Sequence, residues 1–197
     1  MRIETNGLQR IKDLCGSFKL DEYEVYEKAQ LVISVYHEIV WGSIKNEDPR
    51  MAGPLEKDYE AALLYLSGFP PTEGKREFLR KLLTLFHSEW FSGLISNAVN
   101  EVSLFPHNGE FYAEILNKLY FSEHNVSDKE LQPSMPASRS TYFKRKKEAI
   151  LFLGVTLWGV ILPRTIILIR SGTPHRASML MIAENKGFSE SGRLDCG

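Results

Sequence analysis

The chain has 197 residues, 43% of them apolar and 25% charged. It is therefore able to bury a core and is not a disordered protein, and its 2 cysteines, Cys15 and Cys196, are too few for a disulfide framework or a zinc site. The near-neutral charge hides a division: residues 1–60 carry 8 basic and 12 acidic side chains, 61–130 carry 6 and 9, and 131–197 carry 10 and 4. That pattern fits a basic module for a polyanion on an acidic body that DNA would repel and that is left to meet protein.

Residues 1–19 form an N-terminal segment of mixed charge with no long apolar run, so no secretory signal is expected and a reducing cytoplasm is the expected location. From Asp21 to Trp41 the acidic first turn and the recurrence of Val25, Ala29, Val32, Tyr36, Ile39 and Val40 predict a helix ending at Gly42. Residues 43–54 read as a connector, and Leu55 to Ser67 as a second helix closed by Gly68-Phe69-Pro70-Pro71. Thr72 is placed to cap a third, long helix carrying Phe78, Leu82, Leu85, Phe86, Trp90, Leu94 and Val99, bent near Gly93 and over by Pro106. Asn108 caps a shorter helix with Phe111, Ile115 and Leu119 inward. No segment alternates with period two, so the expected fold class is all-α, with an N-terminal helical bundle over residues 20–106.

Ser127 with Glu130 three residues on has capping-box spacing and opens a short helix before the turn from Pro133 to Pro136. Ser138 is a good N-cap for the helix that follows, Arg139-Ser-Thr-Tyr-Phe-Lys-Arg-Lys-Lys-Glu-Ala-Ile150. On a 3.6-residue period Arg139, Ser140, Phe143, Lys144 and Lys147 share one side, while Tyr142, Ala149 and Leu153 share the other, with Arg145 or Lys146 at the boundary. A helix-turn-helix reads double-stranded DNA with the first turns of its second helix. Here Arg139 and Ser140 would meet base edges, Phe143 a thymine methyl, and Lys144 and Lys147 phosphates.

Ser138 to Ile150 resembles the recognition helix of sigma-factor region 4 and, more closely, that of the ArpU-type late transcription regulators of phages and prophages. The likeness covers Asp128 to about Leu153, with Pro133, Pro136 and Arg145 departing from the family pattern. It implies a small all-helical, sigma-like regulator that binds promoter DNA of late genes and touches RNA polymerase. Residues 107–170 would then be the helix-turn-helix domain, and the acidic bundle would face polymerase or a second subunit in a homo-oligomer.

The run from Ala149 to Leu162 is apolar for 14 residues, short of the ~20 needed to span a bilayer, and Pro163 is expected to stop it. Extending it brings in Arg164, at a cost of roughly 2.5–3.5 kcal/mol at a span centre, so a buried helix is expected rather than a membrane anchor. The rival reading is a non-catalytic interaction protein or one anchored in a membrane through residues 149–169. His37 with Glu38 and His87 with Glu89 make no zinc motif, and no phosphate loop or nucleophile motif is present. Neither catalysis nor a cofactor or metal is expected. Tyr59, Tyr65, Trp90, Phe91 and Trp158 fall in helical spacing and read as core. Residues 171–197 have no period and read as a loose tail.

Overall fold

The computed structural model describes residues 6–45 and 59–171, and these form an all-helical fold with no strand among the described residues. Residues 43–45 of the connector expected at 43–54 are helical instead, and its remainder, the first residues of the second expected helix and the tail from 172 onward lie outside the described residues.

The first helix, α1 (Asn6–Phe18), falls in the stretch read only as an N-terminal segment of mixed charge. Its apolar positions Leu8, Ile11, Cys15 and Phe18 recur at three- and four-residue steps, and Ile11 and Cys15 are buried at 0% and 1% exposure. The chain leaves α1 through Lys19 in the left-handed region, and the Leu20 N–H donates to the Cys15 carbonyl at 2.9 Å. Asp21 caps α2 (Glu22–Lys45) by accepting from the Glu24 N–H at 2.8 Å. Its expected stripe, Val25 through Val40, is buried throughout. Helix α3 (Tyr59–Gly68) follows, and Phe69 at its end packs on Phe78, ring centroids 4.4 Å apart.

The long third helix is in fact two: α4 (Lys75–Leu85), starting from Gly74 rather than Thr72, and α5 (Ser88–Ser103). The break lies at Phe86 and His87, both in extended backbone, while Gly93 sits inside α5. The reason is packing. Kinking there buries Phe86, Trp90 and Phe91 together, with Phe86 stacked on Trp90 at 4.7 Å and edge-on to Phe91 at 5.5 Å.

Helix α6 (Gly109–Leu116) continues through a wide turn over Asn117–Phe121. A single turn, α7 (Asp128–Leu131), follows and tightens into a 3₁₀ turn over Gln132–Ser134, because Pro133 has no N–H to extend the α pattern. Helix α8 (Arg139–Thr156) then passes through a second wide turn at Leu157–Ile161 into α9 (Leu162–Arg170). Pro163 does not stop it: the helix is continuous from Arg139 to Arg170, 32 residues. The wide turn carries the chain past the proline by shifting the hydrogen-bond register just where its ring would meet the preceding carbonyl.

That helix is the axis of the molecule. α1, α2, α5 and α6 all pack on α8, and Gly154 lets the α2 backbone approach, since a Cβ there would lie 2.8 Å from the Val25 carbonyl oxygen. Trp158 donates to the Leu66 carbonyl at 3.1 Å and ties the helix to α3. One core therefore joins Ile11, the α2 stripe, Trp90 and Phe91 to Ala149 through Leu162, crossing residue 106 without a gap. By length and composition the helix could cross a membrane, so the argument from a stop at Pro163 does not hold; 67% of its apolar window is buried against the other helices.

Candidate nucleic-acid interface

Ser138 starts α8 as its sequence suggests: its hydroxyl accepts from the Thr141 N–H at 3.3 Å, and Pro136 lies just upstream in the turn. The helix then sorts its side chains. Tyr142, Ala149 and Leu153 are each 0% exposed, whereas Arg139, Ser140, Phe143, Lys144 and Lys147 stand in solvent on one face. The Arg139 guanidinium lies 5.9 Å from the Phe143 ring, which holds the two side chains side by side.

The other two cations of the run are tied down. Lys146 reaches Asp128 at 2.6 Å and lies over the Tyr120 ring at 5.6 Å, while Tyr142 donates to the second Asp128 oxygen at 2.9 Å. One carboxylate thus clamps α7 to α8. Burial opposes the Lys146 charge, but Asp128 and the Tyr120 hydroxyl outweigh it and raise the ammonium above its ordinary pKa. Burial, reinforced by Asp128, likewise raises the Tyr142 phenol. Arg145 is set 4.8 Å from the Phe111 ring of α6. Of five basic side chains between 139 and 147, Arg139, Lys144 and Lys147 remain exposed and make no ion pair among the described residues.

Below them a small core holds the turn in place: Leu131 and Met135 pack with Ile115, Leu119 and Tyr142. At the start of α7 the Glu130 carboxylate accepts from both the N–H and the hydroxyl of Ser127 at 2.7 Å. Those bonds, the backbone one foremost, lower the Glu130 pKa. On the α1 and α2 side, Lys144 and Lys147 border a 390 Å³ groove floored by Leu8, Tyr26 and Leu151. Glu22 stands at the same groove and is paired with Lys12 at 2.9 Å.

No family model, curated protein or solved structure matches the chain. Among the described residues no cluster of three His, Cys, Asp or Glu could hold a metal ion. His37 donates from Nε2 to the Glu123 carbonyl oxygen, 3.0 Å away, and Trp90, Phe91 and Trp158 are core.

Asp128, Tyr120 and Phe111 escape a sequence reading because their partners lie 14 or more residues away, with no period to connect them. Glu148 escapes for a different reason. Four residues after Lys144 it has the spacing of a solvated ion pair, yet it is 5% exposed and accepts from the Tyr112 hydroxyl at 2.7 Å.

Proposed function

We propose that this protein is a sequence-specific DNA-binding transcription regulator, of phage or prophage late genes as the resemblance implies, in which α6, α7 and α8 act as a sigma region-4-like helix-turn-helix. The observation that carries the reading is the face of Arg139, Lys144 and Lys147: three cations on the first turns of a capped helix, exposed and unpaired among the described residues, while their neighbours Arg145 and Lys146 are held inward. Lys144 and Lys147, one turn apart and free of ion pairs among the described residues, match phosphates, and the exposed N-terminal turn is the part of such a helix that meets base edges. Arg139 would fork to a guanine, with Ser140 and Phe143 beside it. No step of this role is catalytic and none calls for a cofactor.

The burial of the apolar half of the same helix supports a core element of a cytoplasmic protein rather than an anchor. The acidic helices α2, α3 and α5 leave a surface for RNA polymerase or a second copy of the chain. A salt-dependent titration tests the reading. Replacing Lys144 and Lys147 together by Ala should weaken binding to every duplex and flatten the log-affinity against log-salt slope by up to ~2, one for each lost phosphate contact. Arg139→Ala should cost ~1–3 kcal/mol on the preferred site and little on random DNA. An unchanged affinity in all of these variants removes DNA from the account.

A further inference from the structure

Beside the basic face a second cavity, of 280 Å³, opens between α8, the start of α1 and the loop that leads into α6. That is small, at the lower edge of the ~300–1,000 Å³ typical of ligand pockets. Its wall on α8 is a single helical stripe, Thr141, Lys144, Arg145 and Glu148, which stacks two cations one turn above a buried carboxylate. Opposite stand Gly7 and Asn108, at the starts of α1 and α6, so the positive ends of two helix dipoles border the cavity. No side chain caps α6.

Glu148 is the unusual member. It is 5% exposed, and its Oε2 accepts from the Tyr112 hydroxyl, which the Asn108 side chain also contacts, while no described residue is hydrogen-bonded to Oε1. An anion alone would be repelled by Glu148 and a cation alone by Lys144 and Arg145. A molecule carrying both charges a few ångströms apart satisfies the stripe.

We infer that this cavity is a binding site for a free α-amino acid, its ammonium donating to Glu148 and its carboxylate lying between Lys144, Arg145 and the helix starts. The test needs no DNA. Full-length protein is titrated by calorimetry with each proteinogenic L-amino acid, and the best binder is compared with its methyl ester, which lacks the carboxylate, and its N-acetyl form, which lacks the ammonium. At least one amino acid should bind, and each blocked form should bind about tenfold more weakly or worse, the size of a lost charge-assisted hydrogen bond. Lys144→Ala, at an exposed position, should lower affinity for the amino acid but not for its methyl ester, and Glu148→Gln should lower affinity for the amino acid but not for its N-acetyl form. Absence of binding by every amino acid to the folded wild-type protein overturns the inference, as does equal binding of the blocked forms.

Discussion

Two glycines of the central helix show how the same substitution can differ in cost according to what it meets. A Cβ on Gly154 would lie 2.5 Å from Val25 Cγ1, 2.8 Å from the Val25 carbonyl oxygen and 3.2 Å from the Ala29 Cβ, so α2 itself would have to move. A Cβ on Gly159 would meet the Phe18 ring at 2.5 Å, but Phe18 is 39% exposed and its ring can swing outward. Gly154→Ala should therefore destabilise by about 1–3 kcal/mol and Gly159→Ala by distinctly less. Equal urea midpoints for the two variants would show that the α2 to α8 contact is loose. Asp128 is the other decisive residue. Lys146 and Tyr142 both have pKa values raised above their ordinary 10.5 and 10.0, so the stability they supply is complete below those values and is lost as pH rises through the folded ones. Melting temperature should fall as pH climbs beyond about 10, and Asp128→Asn, which removes the anion from the clamp, should shrink that fall. A wild-type alkaline profile in Asp128→Asn would remove the clamp from the argument. The exposed face from Arg139 to Lys147 was legible in the sequence because it follows from one helical period. The fates of Arg145 and Lys146 were not, because Phe111 and Asp128 decide them across the fold.

Helices were legible wherever a long apolar stripe marked them, as in α2, and their ends were legible wherever a local hydrogen bond makes them, as at Ser138. Boundaries set by packing were not. Gly93 looked like the weak point of the third helix, but propensity is a weak force beside the burial of three aromatic rings, and the chain breaks at Phe86 instead. Pro163 looked like a stop, yet a wide turn upstream absorbs it. α1 has a stripe, Leu8, Ile11, Cys15 and Phe18, but it is short, lies among mixed charges and brings only Ile11 and Cys15 to full burial. The aromatic joint between α4 and α5 should be correspondingly costly to remove. Trp90 is 3% exposed, stacked on Phe86 at 4.7 Å and 5.0 Å from Tyr59, so Trp90→Ala should cost ~3–5 kcal/mol, a large share of the ~5–15 kcal/mol of a whole fold. An unaltered denaturation midpoint would mean that the break at Phe86 is not held by these rings.

At the scale of the whole molecule, the helix that carries the basic face is also the helix around which everything else packs. Its first turns have only a small core of their own, Leu131, Met135, Ile115, Leu119 and Tyr142, and α7 is a single turn, far shorter than the ~12–15 residues an isolated helix needs. From Ala149 to Leu162 its partners are instead Val25 and Ala29 of α2 and the surfaces of α1, α5 and α6. A fragment of residues 125–170 would expose that run to water and lose α6, so it should be poorly folded and bind DNA weakly and without sequence preference. A fragment of residues 20–170 keeps α2 through α9 but lacks α1, whose Ile11 and Cys15 are buried. It should fold, yet be less stable than the full chain by a few kcal/mol, about 1.5–3 for each large apolar side chain taken out of water. Circular dichroism melts and DNA titrations on the three proteins decide it. A cooperative melt and site-selective binding by residues 125–170 would mean that the helix-turn-helix stands by itself and that the shared core is not what orients Arg139, Lys144 and Lys147.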